Sequence, residues 1–138
     1  MSVLVLIGRI LFSALFITSA FGHLTQTSGM AAYAKSKGVP MAWAGTFVSG
    51  ILLLLGGLSV LLGVWADLGA LLLVVFLVPT AVLMHGFWRA SGEARMMEQI
   101  QFSKDISLAG AALMLMALIS YAGNHLGLTL TGPLFHLH

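Results

Sequence analysis

The chain has 138 residues, of which 59% are hydrophobic and 7% are charged, with a formal net charge of +2. A soluble domain carries about 25% charged residues because its surface faces water, so this composition excludes an ordinary soluble protein and predicts contact with lipid. No basic patch with interleaved aromatic residues points to nucleic acid, and the absence of cysteine excludes disulfides, iron–sulfur clusters and cysteine-ligated zinc.

The first apolar segment, residues 3–24, is long enough to cross a hydrocarbon core of about 30 Å as a helix. Its one charge is Arg9. A secretory signal peptide is the alternative, with Thr18-Ser19-Ala20 as a weak cleavage-like site, but the basic segment that opens such peptides is missing. The loop that follows predicts a short interfacial helix around residues 30–35, ended by a glycine and a proline.

The second predicted span, residues 41–62, carries no charge, and its glycines favour close packing of helices in lipid. A tight turn follows, so the second and third spans are predicted to be antiparallel neighbours. The third span covers residues 66–88 and contains Pro79, which frees a backbone carbonyl and predicts a kink. The sequence leaves open whether that kink shapes a pocket.

A polar, partly helical loop precedes the fourth predicted span, residues 104–123. The apolar tail, residues 126–138, is too short to cross the membrane, so we expect it at the interface, with His136 and His138 at the surface. The chain is therefore predicted to be one all-α membrane domain over residues 1–138. Its architecture is four transmembrane helices in an antiparallel bundle, with the short interfacial helix between the first two.

The positions of lysine and arginine predict the orientation of this bundle. The two long loops contain five basic residues, whereas the short second loop and the tail contain none. The five are Lys35, Lys37, Arg89, Arg95 and Lys104. The positive-inside rule therefore predicts cytoplasmic long loops, with both termini outside.

Several motifs, taken in order and spacing, indicate a family resemblance that runs from the first span to the end of the fourth. They are Gly8-Arg9-Ile10-Leu11, residues 32–40, Gly56-Gly57 before Leu62-Gly63, His85-Gly86-Phe87-Trp88 and residues 101–110. With them the chain resembles the DoxX family of small four-span bacterial membrane proteins. The resemblance implies the bacterial inner membrane and a redox context, since relatives are linked to a thiosulfate:quinone oxidoreductase and to membrane oxidoreductase assemblies.

Three departures from the family pattern bear on activity. Where the family often has a glutamate in the second span, this chain has leucines at 53–55. Where the family commonly has an asparagine, this chain has Asp105. The arginine and aspartate usual after the fourth span are replaced near His125 and Thr129. If those polar residues serve a reaction, this member has lost or altered it.

The antiparallel topology gathers His23, His85, Trp88, Lys104 and Asp105 on the loop side of the membrane. His85 and Trp88 lie three residues apart, so they would share a helical face. One interpretation is structural: Trp88 anchors the helix at the interface and His85 is hydrogen bonded. The other is a ligand-binding or proton-carrying His85 in a pocket closed by Trp88, with Asp105 and His23 as further ligand-binding candidates, since ionisable groups at membrane depth tend to face the bundle interior.

Metal and cofactor binding are considered for the same residues. His23, His85 and Asp105 suit iron, zinc or manganese, yet no tight spacing such as His-x-x-x-His supports a metal site or axial haem ligation. We predict no metal; the cofactor is unknown, and quinone is the candidate that the resemblance leaves open. On the opposite side, Arg9 and Asp67 are predicted to form a structural ion pair, with an anionic-substrate site around Arg9 as the alternative.

Three functions remain open at this point. The leading hypothesis is a non-catalytic accessory subunit of an oxidoreductase or respiratory-type membrane assembly, in contact with lipid and with other membrane subunits or a second copy of itself. The second is a quinone or small-molecule redox site formed by His85, Trp88 and Asp105. The third is a small-solute or lipid-handling protein that uses Arg9. Whether the chain is an enzyme is open, although the missing cysteine and span-two acid favour a non-catalytic role.

Overall fold

The computed structural model describes residues 1–137, so the surface position predicted for His138 lies outside it. The described chain is all-α and contains no strand. Four of its helices, all but α2, are long and apolar enough to cross a bilayer, as the sequence predicted. The five α-helices are α1 Ser2–Thr25, α2 Thr27–Ser36, α3 Ala42–Leu62, α4 Ala66–Met84 and α5 Gly92–Ala122, with 3-10 turns at Phe87–Arg89 and Gly123–Leu126.

The α4 helix ends at Met84, four residues before the end predicted for the third span. The cause is visible in Arg89, whose Nη2 donates to the carbonyl oxygens of Val82 at 3.2 Å and Leu83 at 2.7 Å. These carbonyls have no partner within a helix that ends there. A cation at a helix C-terminus also interacts favourably with the helix dipole. The chain therefore folds back at Gly86 to bring Arg89 over the end of α4.

The α5 helix begins at Gly92, twelve residues before the start predicted for the fourth span. Its 31 residues correspond to about 46 Å of helix, against a hydrocarbon core of about 30 Å. The polar segment, predicted to be a partly helical loop with a helix through residues 93–101, is thus the first three turns of a continuous helix. Residues from this segment, Glu98 among them, are consequently held in fixed register with Asp105.

The helices pack in the order α1, α3, α4, α5, and α2 lies against α3. All four spanning helices contribute fully or nearly fully buried side chains to one apolar core, including Phe16, Leu53, Leu73 and Ala109. Leu53 is one of the leucines that stand where the family often has a glutamate. The core is therefore apolar at the position in α3 where family members often have a glutamate.

Gly56 of α3 and Gly69 of α4 allow these two helices to approach at backbone distance. A Cβ atom on Gly69 would lie 2.5 Å from the Ser59 Cβ and 3.1 Å from the Gly56 carbonyl oxygen. A Cβ on Gly56 would lie 2.8 Å from a methyl group of Leu73. Only hydrogen fits at these positions, as is common where helices pack closely in lipid.

Replacing Gly69 by valine is therefore expected to lower the free energy of unfolding in detergent by about 3 kcal/mol, because overpacking forces α3 and α4 apart. The matched control is Gly110→Ala in α5, where an added Cβ meets no atom within 4 Å and alanine favours the helix. Thermal unfolding of both purified variants measures the difference. Equal melting temperatures for Gly69→Val and Gly110→Ala would contradict the packing argument.

Candidate functional site

A cavity of about 620 Å³ lies at the loop-side end of the bundle, between α1, α2, α3, α4 and α5. Most of its wall is apolar, and Leu53 and Pro79 are part of it. The polar and ionisable residues of the wall are Ser19, His23, Gln26, Tyr33, Thr46, Ser49, Thr80, His85, Gln101, Lys104 and Asp105. The structure thus brings three predicted ligand-binding candidates, His23, His85 and Asp105, to a single cavity.

Asp105 is the buried acid of this cavity, with 8% of its surface exposed. Its nearest charged or ionisable neighbour is His85, whose Nε2 lies 3.8 Å from Oδ2, which is too far for a hydrogen bond. The carboxylate accepts no hydrogen bond from any described residue. Burying an ionised carboxylate without a partner is costly, so Asp105 is poised to take a donor from a molecule inside the cavity.

His85 is oriented by a second acid from the same helix as Asp105. Its Nδ1 lies 2.8 Å from Oε2 of Glu98, and because a carboxylate only accepts, the imidazole carries its proton on Nδ1. The other nitrogen, Nε2, is then turned toward Asp105 and the cavity. His85 stands between two carboxylates, one inside the cavity and one at its outer edge.

Glu98 also binds Lys37, whose Nζ lies 2.5 Å from Oε1. This hydrogen bond is the largest reason why the pKa of the Lys37 ammonium is raised above its ordinary value. Lys37 follows the end of α2 and Glu98 belongs to α5, so the pair also ties the first long loop to the fourth span. The result is a chain of ionisable groups from Asp105 through His85 and Glu98 to Lys37.

Sequence reasoning missed Glu98 and Lys37 as members of this cluster. A signal was available: Glu98 precedes Asp105 by seven residues, which is two helical turns and therefore the same face. It was lost because the helical part of the polar segment was predicted to be separate from the fourth span, so Glu98 was not placed in register with Asp105. No local signal links Lys37 to Glu98, since the two are 61 residues apart.

His23 lies in the last turns of α1, and its ring contacts Phe76 edge-on, with 5.9 Å between ring centroids. Its Nδ1 lies 2.9 Å from the Ser19 carbonyl oxygen. Because a carbonyl only accepts hydrogen bonds, Nδ1 carries the proton. In the neutral ring Nε2 is then a bare acceptor, and it has no partner among the described residues.

Trp88 does not line the cavity, so it does not close the pocket as the second of the two interpretations had it. The prediction placed His85 and Trp88 on one helical face, but α4 ends at Met84, before both of them, and Trp88 belongs to a separate 3-10 turn. Its ring is half exposed and stacks edge-on against Phe87 and Phe102. This position suits the interfacial anchor that was the structural interpretation.

The opposite side of the bundle is organised by Arg9, which is 1% exposed. Its Nε donates to the Val60 carbonyl oxygen at 2.7 Å and its Nη2 to that of Leu61 at 2.7 Å, both at the C-terminus of α3. Its Nη1 donates to the Leu128 carbonyl oxygen in the tail at 2.8 Å. A cation is favourable at a helix C-terminus, and these contacts occupy all three nitrogens of the guanidinium.

Asp67 is fully buried and holds a different part of the tail. Its two oxygens accept from the backbone amides of Leu134 at 3.0 Å and Phe135 at 2.6 Å, and Oδ1 also accepts from the Leu68 amide at 2.9 Å. The predicted ion pair between Arg9 and Asp67 is thus not formed, because backbone groups satisfy each charge separately. The described tail folds across the α3–α4 turn, a more specific position than the membrane interface expected from the sequence.

Metal ligation finds no geometric support in this arrangement. Within residues 1–137, no group of three histidine, aspartate or glutamate side chains is placed so that it would hold an ion. The cluster around His85 is arranged as a series of hydrogen bonds and charge contacts instead. Such an arrangement can bind a polar group of a ligand through His85 and Asp105.

Comparison with known proteins gives consistent family matches. The family model described as DoxX matches residues 4–86. Inner membrane protein YphA of Escherichia coli is 31% identical over 113 residues, which cover 82% of this chain and 81% of that protein. Inner membrane protein YqjF of the same organism is 33% identical over 114 residues, covering 80% of each. No solved structure matches the chain significantly.

Proposed function

Because this chain belongs to the DoxX family of inner membrane proteins, we propose that it binds a lipophilic small molecule of the quinone class in the loop-side cavity. The observation that carries the proposal is Asp105, a buried carboxylate without a hydrogen-bond donor in the wall of a cavity of about 620 Å³. A mostly apolar wall with a few convergent polar groups is typical of small-molecule sites. The redox context implied by the family resemblance selects quinones among the ring-bearing lipids that such a cavity suits.

In this proposal Asp105 and His85 bind the polar edge of the ring. His85 also stands between Asp105 and Glu98, with Nδ1 toward Glu98 and Nε2 toward Asp105. Glu98 and Lys37 continue the cluster toward the loops. The protein thereby offers the ring two hydrogen-bonding partners in the cavity and a series of ionisable groups that leads from the cavity toward the loops.

We expect purified protein in mild detergent to bind decylubiquinone or its quinol, with saturable heat in isothermal titration calorimetry. Replacing His85 by phenylalanine is expected to weaken this binding about tenfold, because a hydrogen bond to an ionisable group is lost. The matched control is His125→Phe, which changes an exposed histidine outside the cavity wall and should leave the dissociation constant unchanged. Absence of binding of both ligand forms to the wild-type protein would refute the proposal.

A second candidate is an accessory subunit of a membrane oxidoreductase assembly. It is favoured by the first turns of α5, where Met96, Met97 and Ile100 are each more than half exposed on a segment that extends beyond the length of a hydrocarbon core. Apolar side chains in this position gain from contact with another subunit. Gentle purification from native membranes, followed by subunit identification, should recover larger redox subunits; recovery of the chain alone would count against this role.

The orientation proposed for either function is cytoplasmic long loops with both termini outside. It rests on the five basic residues of those loops. Because the chain has no cysteine, single cysteines introduced at the exposed positions Ser91 and His136 give a clean test in intact cells. An impermeant maleimide should label position 136 and spare position 91, and the reverse pattern would invert the proposed orientation.

A further inference from the structure

We infer that the ligand of the loop-side cavity carries a long hydrocarbon tail, and that this tail lies in a groove between α1 and α5. The inference rests on the proposed function and adds a requirement on the shape of the ligand. A ring-bearing lipid has two parts, a ring with polar atoms and an apolar tail. The cavity wall supplies polar partners for the ring, so the tail needs an apolar path out of the cavity.

The groove is a second cavity, of about 260 Å³, and only α1 and α5 line it. Successive helices in the order α1, α3, α4, α5 pack closely, whereas the backbones of α1 and α5 do not pack closely against each other in the part of the chain that the structure describes. A seam is therefore left between these two helices. Its apolar side chains are Val5 and Phe12 of α1 and Ala111, Leu115 and Leu118 of α5.

Arg9 also borders the groove, but it does not make the groove a site for an anion. All three nitrogens of its guanidinium donate to backbone carbonyl oxygens of α3 and of the tail segment. The other groove residues are apolar or glycine, so none of the described side chains in the wall offers a free polar group. An apolar chain is the occupant that matches such a wall.

The groove and the loop-side cavity adjoin along α1. Phe12 lines the groove, and Phe16, Ser19 and His23 line the cavity. These four residues follow one another at steps of three or four, so they share one face of the helix. The rings of Phe12 and Phe16 contact each other, with 4.9 Å between their centroids. One aromatic pair is thus the boundary between the two spaces.

The same continuity holds along α5. Asp105 and Leu108 line the cavity, and Ala111 and Leu115 line the groove. Their spacing again places them on one helical face. Because both helices pass from cavity to groove without a change of face, a molecule with its ring beside Asp105 would find the groove as the continuation of its binding site.

The direction of the groove suits an amphipathic ligand. Asp105 lies near the start of the apolar part of α5, and Leu118 follows it by 13 residues, which is about 20 Å along the helix. A ring bound at Asp105 would lie near the membrane surface, and its tail would run toward the middle of the hydrocarbon core. The same arrangement places the polar and apolar parts of a prenylated quinone at the depths that each part prefers.

The test compares decylubiquinone with the tailless benzoquinone that carries the same ring substituents, by titration calorimetry on detergent-purified protein. Ala111→Phe places a ring in the groove and should weaken the binding of decylubiquinone about tenfold, while the dissociation constant of the tailless quinone stays unchanged. Gly8→Leu fills the groove from α1, where an added Cβ meets no atom within 4 Å, and should act in the same way. Ala117→Phe, at an exposed position of α5 outside both cavities, is the matched control and should change neither constant.

A decylubiquinone analogue with a diazirine at the end of its tail gives a second, direct measurement. On illumination it should label peptides that contain residues 5–12 or 111–118, which border the groove. Partition of the tail into detergent is the same for all variants, so the differences between variants report on the groove itself. If the tailless quinone binds too weakly to titrate, the position of the label decides.

The outcomes separate this inference from the proposal on which it rests. Equal weakening of both quinones by Ala111→Phe and Gly8→Leu, or no weakening of either, overturns the inference, and the groove then holds only lipid chains. Labels confined to other helices overturn it as well. Failure of the wild-type protein to bind either quinone refutes the proposed function itself. Thermal unfolding of the variants checks that each one is folded.

Discussion

Replacing Arg9 by methionine is expected to lower the free energy of unfolding by about 4 kcal/mol, because hydrogen bonds from a charged donor contribute about 1.5–3 kcal/mol each and do not add fully. Methionine fills a similar length of apolar space but leaves the carbonyl oxygens of Val60, Leu61 and Leu128 without their donor. In a membrane protein these groups have no water to replace it. Thermal unfolding in detergent, followed by circular dichroism, measures the loss.

Two further variants identify the cause of that loss. Arg9→Lys keeps the positive charge but replaces the planar fork by a single ammonium, which is unable to match three carbonyl directions, so its loss should be intermediate. Arg95→Met removes an exposed arginine from α5 whose guanidinium lies 5.8 Å from the Phe87 ring. An exposed contact of this kind contributes about 0.5–1 kcal/mol, so the stability should fall by no more than about 1 kcal/mol. If Arg9→Met melts like the wild type, or if the lysine variant is fully stable, the guanidinium network does not hold α3 and the tail together.

The fold was predictable because its strongest signal is compositional. Four long apolar segments separated by polar or turn-forming residues give four spanning helices, and the short α3–α4 turn forces them to be antiparallel. Helix ends were less predictable. The end of α4 depends on Arg89 reaching back to two carbonyl groups, and the start of α5 depends on a polar segment that remains helical beyond the membrane. Neither helix end depends on the periodicity of apolar residues, which is the main signal for predicting secondary structure from sequence.

The candidate site was predictable in its residue types and less so in its contacts. Antiparallel topology was sufficient to place His23, His85 and Asp105 at one level, and all three line the cavity. Glu98 required the correct start of α5. The partners of Arg9 and Asp67 could not be predicted, because both side chains bind backbone groups of the tail or of helix ends. Every residue has a backbone carbonyl, so the residue types do not indicate which one is bound.

The two ends of the bundle therefore treat buried charge in opposite ways. At the tail end, Arg9 and Asp67 are satisfied by backbone groups and close the structure around the α3–α4 turn. At the loop end, Asp105 is buried but unpaired beside a cavity. A satisfied buried charge stabilises a fold, whereas an unsatisfied one is retained at a cost that a ligand can offset. This asymmetry is the physical reason for placing function at the loop end.

Filling the cavity from α3 should abolish ligand binding while leaving the fold intact. Thr46, Ser49 and Leu53 recur at helical spacing and all line the cavity, so the middle residue faces the open space. Ser49→Phe introduces a ring there and is expected to weaken the binding of decylubiquinone or its quinol by at least about 100-fold. The melting temperature should stay within about 3 °C of the wild type, since the ring enters space that is otherwise empty. Titration calorimetry and thermal unfolding provide the two measurements.

The matched control places the same substitution at Ser107, an exposed residue of α5 that does not line the cavity. Ser107→Phe should bind the ligand with an unchanged dissociation constant, because added apolar surface at an exposed position of a membrane helix faces lipid. If Ser49→Phe retains wild-type affinity while remaining folded, the ligand binds outside this cavity. Any loss of binding in His85→Phe would then be an indirect effect. If both phenylalanine variants lose binding equally, the loss reflects added apolar surface in general, and occupation of this cavity is not its cause.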